Sequence, residues 1–492
     1  MGCRMAYKEI TIDPITRLEG HGKISIFLDD KGDVAHACLQ VPELRGYERF
    51  AIGRLAEEMP RITETICGVC PTAHHTCSGK TLDDLYGVEP PPAALKIRQF
   101  VYNAFTFEDH NLHFYFLGGP DFIVGPDAPA PERNILGVIG KVGVDIGKKV
   151  IDIRKRTRDI IQTMGGRVVH PVHCLPGGVS KPMTKEIQQE FKRTAEDTVE
   201  FAKFSLQAFD DIVLKNKTYV DLIVGDIYKH STYYMGLVDD NNKVNFYDGW
   251  IRVVDPEGKE YAKFKVEDYL DHIAEGVESW TYIKFPYLKN IGWKGFVDGK
   301  DSGVYRVAPL SRLNASDGMA TPLAQEYYEK FYEVLGGKPA HNTLAMHWAR
   351  LIEAMQAAES MVQLINDPEI LDPNVRNMDF QVPKEGKGVI EAPRGTLFHH
   401  YETDEKGRLT KANLIVATVN NSAAINMSIA KAAKGLIKNG QVNDGLLNMV
   451  EMAFRAYDPC LACATHTING HVPLQIDILD ANRKTIKVLK TV

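Results

Sequence analysis

The sequence lacks several features that would assign it to a common class of protein. Eight cysteines in 492 residues are too few for a disulfide scaffold. No apolar run reaches the ~18 residues that a membrane span needs, and the N-terminus has no apolar segment of the kind found in secretory signals. Lys and Arg total 58 and Asp and Glu 64, so the net charge of −6 does not favour nucleic-acid binding. What remains is an average globular composition, 44% hydrophobic and 25% charged.

Apolar residues recur at helical spacing in several long segments. The predicted helices cover about 93–112, 135–164, 184–213, 341–366, 421–438 and 443–456. Short strands are predicted at 7–40 and 396–419, and a mixed, strand-bearing insertion at about 218–310. Long amphipathic helices cannot bury their apolar faces alone. We therefore expect an α+β fold that is predominantly helical, with a central bundle of long helices and small peripheral strand-bearing regions, in one large domain.

Four of the cysteines form two C-x-x-C pairs, one near each end of the chain. The pairs are Cys67 with Cys70 and Cys460 with Cys463. Thiolates at this spacing can bind one metal or two adjacent ones, and they favour Zn, Cu(I), Fe–S clusters or other thiophilic metals. An isolated pair is often structural, and the pairs of a zinc ribbon usually lie only about 15–20 residues apart. Spacing alone leaves open both a shared metal centre and two unrelated pairs.

Short motifs occur in a fixed order from one end of the chain to the other. They are DPITRLEGH (13–21), RGYE (45–48), ETICGVC (64–70), PRG (393–395) and YDPCLACATH (457–466). Together they resemble the signatures of nickel–iron hydrogenase large subunits. Two positions depart from the family pattern, since Thr65 stands where a basic residue is usual and Tyr47 where an aliphatic residue or Phe is usual.

The resemblance implies that all four paired cysteines bind nickel and that two of them also bind iron. Cys67 and Cys460 would be terminal nickel ligands, and Cys70 and Cys463 would bridge nickel to iron. The iron of this family also carries cyanide and carbon monoxide. The implied reaction is the reversible, heterolytic cleavage of H2 into protons and electrons, which needs a Lewis-acidic metal and a nearby base.

The motifs also match side chains that assist the metals in this family. Glu19 would relay protons from a cysteine thiolate. Arg394 would lie over the metals, with Asp458 and Asp121 as its partners. Without the motif, Glu19 would be interpreted as a solvated strand residue.

Three further roles follow from the resemblance. Thr418 would donate a hydrogen bond to a cyanide ligand, and His74 would bond a bridging sulfur; an ordinary strand threonine and a packed core histidine are the alternatives. Glu48, His466 and the backbone carbonyl of Leu414 match the family's magnesium site.

The chain has no second set of clustered cysteines for an iron–sulfur cluster of its own. The remaining four are Cys3, Cys38, Cys77 and Cys174, which are scattered and match no ligand position. Electrons would therefore leave through a small subunit that carries iron–sulfur clusters. The chain most resembles the cytoplasmic group, in particular the viologen-reducing type linked to heterodisulfide reductase, so we expect a cytoplasmic location and further electron-transfer subunits.

Members of this family are made with a C-terminal tail that a dedicated endopeptidase removes. The resemblance predicts a catalytic domain at 1–466 and a propeptide at 467–492, cleaved after His466. The alternative is a permanent C-terminal strand or hairpin, because Leu474, Ile476 and Ile478 alternate as strand residues do.

Two other classes of protein remain as alternatives. One is a member of the quinone module of respiratory complex I, which shares this ancestry but lacks the nickel ligands. The other is a zinc-stabilised scaffold protein without enzymatic activity. Retention of all four paired cysteines argues against the first, and metal content would separate all three.

Overall fold

The structure is a computed structural model, and it describes residues 8–278, 280–465, 475–479 and 485–490. Its α-helices are α1 (Tyr47–Phe50), α2 (Met59–Glu64), α3 (Pro71–Leu85), α4 (Pro92–Leu112), α5 (Pro120–Ile123), α6 (Ile135–Val142), α7 (Val144–Gly165), α8 (Lys185–Phe209), α9 (Lys217–Val224), α10 (Tyr269–His272), α11 (Pro309–Ala315), α12 (Pro322–Leu335), α13 (Met346–Asn366), α14 (Ala417–Asn420), α15 (Ser422–Leu436) and α16 (Asp444–Arg455).

The strands are short and are distributed over several small sheets. They are β1 (Lys8–Ile12), β2 (Lys23–Leu28), β3 (Val34–Gln40), β4 (Cys174–Leu175), β5 (Gly178–Val179), β6 (Tyr233–Val238), β7 (Trp250–Val254), β8 (Glu260–Phe264), β9 (Ile273–Gly276), β10 (Phe285–Leu288), β11 (Tyr305–Arg306), β12 (Glu385–Ala392), β13 (Gly395–Thr403), β14 (Leu409–Ile415), β15 (Gln475–Leu479) and β16 (Thr485–Lys490). The predominantly helical α+β architecture agrees with the prediction.

Long helices form the centre of the molecule. Helix α13 packs against α4 and α8, and α4 also packs against α7. Their apolar stripes meet in one hydrophobic core that extends from Ile12 to Ala464 and includes both cysteine pairs. Burying these stripes is what stabilises helices of this length, because intrinsic propensity contributes little by comparison.

One predicted helix is wrong in its continuity. The segment expected to be a single helix at 135–164 is two helices, α6 and α7, separated at Gly143. Gly143 has a φ of 91°, which an α-helix cannot contain and which glycine adopts without a side-chain clash. The apolar periodicity continues across the break, so the spacing alone did not reveal it.

Two sheets position the elements that carry the sequence motifs. Strands β1, β2 and β3 form an antiparallel meander at the N-terminus. Strands β12, β13 and β14 form a second one, in which Ala392 pairs with Gly395 across a two-residue turn made of Pro393 and Arg394. Helix α3 packs against β12 and β13, so this turn and the start of α3 approach the same part of the core.

The peripheral regions match their predictions in outline. Strands β6 to β11 lie in the region expected to be a strand-bearing insertion. Strands β15 and β16 form an antiparallel hairpin near the C-terminus, whereas His466 and Leu474 lie outside the described residues. Among the residues that the structure describes, no helix is both long and apolar enough to cross a membrane.

Candidate active site

The two cysteine pairs meet in the core although they come from opposite ends of the chain. Sγ of Cys67 lies 3.2 Å from Sγ of Cys460, and Sγ of Cys70 lies 3.5 Å from Sγ of Cys463. All four side chains are buried, and all four sulfurs lie within 4.8 Å of one another. Four soft donors at this separation surround a space of the size that thiophilic metals occupy, so the residues fit a shared metal centre.

Local structure holds the first pair. Cys70 precedes α3, which begins at Pro71, and proline suits the first position of a helix because that N–H has no partner within the helix. The backbone N–H groups of Val69 and Cys70 each donate to Sγ of Cys67 at 3.2 Å. The first pair therefore lies at the N-terminus of a helix, and its conformation depends mainly on neighbouring residues.

Residues from other parts of the chain hold the second pair. The N–H of Cys460 donates to Oγ1 of Thr418 at 3.0 Å, and the N–H of Leu461 donates to the carbonyl of Glu19 at 2.9 Å. The turn before the pair contains Asp458 with a φ of 54°, a left-handed conformation that is uncommon outside glycine. The second pair is therefore placed by a turn and by contacts with two other segments.

The side chain of Glu19 connects the thiols with the surface. Its Oε2 accepts hydrogen bonds from Sγ of Cys460 at 2.8 Å and from the N–H of Ala462 at 3.2 Å. Burial, and then the charge of Cys67, raise the pKa of Glu19 above its usual range. The same residue lines an open cleft with Gly20 and His21. It therefore has a thiol on one side and access to solvent on the other.

Arg394 lies at the tip of the β12–β13 turn and is paired with two buried carboxylates. Its NH1 group donates to Oδ2 of Asp109 at 3.2 Å, and its NH2 group lies 3.0 Å from Oδ2 of Asp458. Burial opposes the charge, but Asp109 and Asp458 outweigh it and keep the pKa of Arg394 well above its usual value. The guanidinium is therefore charged.

The expected pairing of Asp121 with Arg394 is wrong. Asp121 lies on α5 and pairs instead with Arg17 at 2.5 Å and with Arg455 at 2.6 Å. These two cations satisfy Asp121, and Asp109 of α4 takes the place beside Arg394. Sequence reasoning missed Asp109, although it belongs to a run of four consecutive polar residues (108–111), all of which are buried in α4.

Thr418, His74 and Arg394 line a small enclosed cavity beside the thiols. The other residues that line it are Cys70, Ala73, Ala392, Leu397, Val416, Ala417, Cys460 and Cys463. Oγ1 of Thr418 accepts the N–H of Cys460, which leaves the hydroxyl hydrogen to be donated elsewhere. Nε2 of His74 and Nε of Arg394 are buried without a hydrogen-bond partner. Buried polar atoms without partners are unusual, so the cavity suits small polar ligands.

His74 is held in place by a histidine that sequence reasoning did not identify. Nδ1 of His74 lies 3.2 Å from Nε2 of His399 on β13. Burial lowers the pKa of His74 to about 4, so its ring is neutral. A neutral imidazole can donate from Nε2 when Nδ1 accepts, and it can do so without adding charge to the core.

Two of the three residues expected at a magnesium site lie together. Oε1 of Glu48 accepts the backbone N–H of Leu414 at 2.8 Å, and Nζ of Lys284 lies 3.6 Å from Oε2 of Glu48. Burial raises the pKa of Glu48 to about 7, with Lys284 opposing it. The third residue, His466, lies outside the described residues.

A comparison with protein families agrees with this geometry. Residues 45–129 and 299–466 match the model for nickel-dependent hydrogenases, and residues 9–44 match one for HoxL-like proteins. This chain belongs to the nickel-dependent hydrogenase family. It is the catalytic large subunit of an oxidoreductase that acts on H2, which confirms the prediction over the complex I-type and zinc-scaffold alternatives.

Relatives of this hydrogenase chain cover nearly its whole length. An F420-non-reducing hydrogenase iron–sulfur subunit of Archaeoglobus profundus is 50% identical over 98% of this chain and 99% of its own length. The "NAD-reducing hydrogenase HoxS subunit beta" of Cupriavidus necator is 37% identical over 97% of this chain and 99% of its own. Both names describe one component of a multi-chain hydrogenase.

Solved structures give the same result for the fold. A crystal structure of an NAD+-reducing NiFe hydrogenase in the H2-reduced state has a TM-score of 0.87 and 34% identity, and the match covers 93% of this chain and 99% of that one. The Ni-Fe-Se hydrogenase of D. vulgaris Hildenborough has a TM-score of 0.75 and 23% identity, over 94% and 100%. At that identity the second match supports the fold alone.

Proposed function

We propose that this protein cleaves H2 heterolytically at a nickel–iron centre held by Cys67, Cys70, Cys460 and Cys463. The observation that carries this proposal is the meeting of four buried thiols from opposite ends of the chain within 4.8 Å. Such a centre, when bound, supplies a Lewis-acidic site that polarises H2 and accepts its two electrons. Removal of two electrons from H2 releases two protons, so the protein residues have to take up the protons one after the other and move them away.

We assign Cys67 and Cys460 as terminal nickel ligands and Cys70 and Cys463 as ligands shared with iron. The family resemblance suggests this division. Cys70 and Cys463, the two ligands assigned to iron, both line the cavity, together with Cys460. The hydroxyl of Thr418, Nε2 of His74 and Nε of Arg394 would then stabilise the cyanide and carbon monoxide ligands of iron, or bound substrate, from within that cavity.

The proton would leave along a short path. The thiolate of Cys460 accepts it from H2, and Oε2 of Glu19, 2.8 Å away, accepts it from the sulfur. A carboxylate with a raised pKa suits this step, because a base works best when its pKa lies near the working pH. Glu19 then releases the proton into the open cleft that it lines.

We further propose a magnesium ion bound by Glu48, the carbonyl of Leu414 and His466. The contact between Glu48 and the Leu414 backbone supports this proposal. Cleavage after His466 by a maturation endopeptidase would free that residue as the C-terminus, with 1–466 as the catalytic domain and 467–492 as the removed propeptide. The match to the family model ends at residue 466, which supports this boundary.

The electrons require a partner. Cys38, Cys77 and Cys174 are buried and do not join the four-thiol cluster among the described residues, so we propose an iron–sulfur small subunit that carries the electrons onward. The resemblance to the viologen-reducing type supports heterodisulfide reductase as a further partner and the cytoplasm as the location.

Analysis of the native complex tests these proposals together. We expect about one nickel and one iron per active site, infrared bands of cyanide and carbon monoxide, and a co-purifying iron–sulfur protein. The intact mass of the active catalytic chain should correspond to residues 1–466. Zinc as the main metal would contradict the nickel–iron centre, and a mass equal to all 492 residues in fully active enzyme would contradict the cleavage.

A further inference from the structure

Arg312 on α11 is a fully buried arginine whose hydrogen-bonding capacity is completely used. Its side chain is 1% exposed. Its guanidinium has five N–H groups, and each of them has an acceptor. Two go to Glu353, through Nε at 2.6 Å and NH2 at 2.5 Å. One goes to Oε2 of Glu391 at 2.9 Å.

The other two N–H groups bind the turn that carries Arg394. NH1 donates to the carbonyl of Ala392 at 2.9 Å, and NH2 donates to the carbonyl of Pro393 at 3.1 Å. These are the two residues immediately before Arg394 at the connection between β12 and β13. One planar group therefore holds both peptide units that set the direction of Arg394.

The turn has little room to move in any other direction. The side-chain amide of Asn421 donates to the carbonyl of Arg394 at 2.8 Å. Gly395 has a φ of 138°, and a Cβ at this position would lie 2.2 Å from a methyl carbon of Val307. The backbone on both sides of Arg394 is thus fixed, and Arg312 supplies the only cationic contact that the structure gives to the carbonyls of 392 and 393 within the described residues.

The same guanidinium also acts on the partner of Arg394. Oε2 of Glu353 accepts a second hydrogen bond, from Nε2 of His110 at 2.9 Å. His110 follows Asp109 on α4, and Asp109 accepts the hydrogen bond of Arg394. Burial lowers the pKa of His110 to about 4, so its ring is neutral and donates to Glu353 without competing for the charge of Arg312.

We propose that Arg312 is a positioning residue that aims the guanidinium of Arg394 over the thiol cluster, by holding the Ala392–Pro393 peptides directly and Asp109 through Glu353 and His110. This inference rests on the proposed role of Arg394 at the metal centre. It requires the shape of the arginine and not only its charge, because a lysine has one nitrogen and three donors and cannot bind Glu353, Glu391 and two carbonyls together.

Arg312→Lys tests the proposal, with Arg98→Lys as its matched control. Arg98 is also fully buried and binds Asp83 and the carbonyls of Leu175 and Gly178, but it does not contact the Arg394 turn. We expect both variants to load nickel and iron and to unfold at similar temperatures. Only Arg312→Lys should lower kcat, by about 10- to 100-fold, since displacing a reacting group by ~1 Å costs about that much.

Infrared spectroscopy supplies a readout that a purely structural role would not change. In Arg312→Lys, the cyanide and carbon monoxide bands should shift in the direction that Arg394→Lys produces, and Arg98→Lys should leave them at the wild-type positions. The double variant Arg312→Lys/Arg394→Lys should be no slower than Arg394→Lys alone, because both changes remove the same interaction.

The outcomes separate this inference from the proposal on which it rests. If Arg394→Lys is slow but Arg312→Lys keeps wild-type kcat and bands, the positioning role is wrong and the role of Arg394 stands. If the two single effects multiply in the double variant, Arg312 acts independently of Arg394 and the inference is also wrong. If Arg394→Lys turns over at the wild-type rate, both ideas fail.

Discussion

The two cysteine pairs have the same spacing but are held in different ways. The first pair belongs to the entry of α3, where Pro71 and two N–H groups that point at Cys67 shape it locally. The second pair depends on Thr418 and on Glu19, which lies 441 residues before Cys460 in the sequence. The first pair can therefore be shaped by its local sequence, whereas the second pair reaches its position only after the rest of the chain has folded.

This difference has a consequence for assembly. Four thiols as close as 2.7 Å, the distance between Sγ of Cys460 and Sγ of Cys463, are costly to keep together as thiolates without a cation. The second pair, which has fewer local constraints, is the one that can move away from this repulsion. We therefore expect changes at the second pair to affect metal loading, and changes around the first pair to affect mainly stability.

The largest effect is expected from Cys463→Ser. A hydroxyl is a hard and weak ligand for a thiophilic metal, so nickel incorporation and H2 oxidation should both be lost. Cys77→Ser is the matched control, because Sγ of Cys77 is buried and donates to the carbonyls of Gly388 and Leu397, as a serine hydroxyl also can. Metal analysis and an H2-uptake assay measure both variants. Normal nickel content with normal uptake in Cys463→Ser would refute the ligand assignment.

Glu19→Gln should have the next largest effect. The amide oxygen can still accept the N–H of Ala462, so the site should keep its shape and its metals, but an amide cannot pass a proton onward. Turnover and H2/D+ exchange should fall about 100-fold or more. Glu43→Gln is the control, since Glu43 lines the same cleft and pairs with His21 rather than with a thiol. Exchange near the wild-type rate in Glu19→Gln would show that the proton leaves by another route.

Motifs predicted the composition of the site better than its pairwise contacts. They identified the four cysteines, Glu19, Arg394 and Asp458, which the structure brings together. They misassigned one partner, because Asp109 on α4 and Asp121 on α5 are both buried aspartates, and only the fold decides which one faces Arg394. A contact between residues 285 positions apart leaves no trace in local spacing.

Helical periodicity predicted α13 but did not predict α3. Helix α13 was expected because its apolar residues share a face. Helix α3 was not, since nearly all of its residues are buried, including His74, His75, Thr76 and Ser78, so it has no polar side to create a pattern. Helix α3 follows directly after the first pair. Its buried polar residues, which lie near the site, interrupt the apolar periodicity from which a helix would have been predicted.

Thr418→Val should have a moderate effect and is specific to the second pair. Valine has the same shape but cannot accept the N–H of Cys460, and a buried N–H without a partner costs about 1–3 kcal/mol. We expect lower nickel occupancy and a lower unfolding temperature. Thr418→Ser, which keeps the hydroxyl, should restore both. If valine and serine behave alike, the hydroxyl does not hold the second pair.

The smallest effect is expected at Glu64, which precedes the first pair and is 1% exposed. Burial raises the pKa of Glu64 to about 7, with Arg61 opposing it, and its Oε2 has no hydrogen-bond partner. In the unfolded chain this carboxyl ionises near its ordinary pKa, so the folded state holds the extra proton between about pH 4.5 and pH 7. The contribution of Glu64 to stability should therefore decrease as pH rises through this window and then level off above it.

Glu64→Gln removes this titration and keeps the shape of the side chain. The stability of the variant relative to wild type should increase between pH 5 and pH 8. Over this range, the unfolding temperature of the variant minus that of wild type should rise by about 1–3 °C. Nickel content should stay unchanged, because the local structure of the first pair does not depend on this carboxyl. Glu58→Gln, at an exposed glutamate on the same stretch of chain, is the control for replacing a carboxylate by an amide outside the core. A Glu64→Gln curve parallel to wild type would mean that the carboxyl is ionised in the folded protein, and loss of nickel in this variant would mean that the first pair is not held by local structure alone.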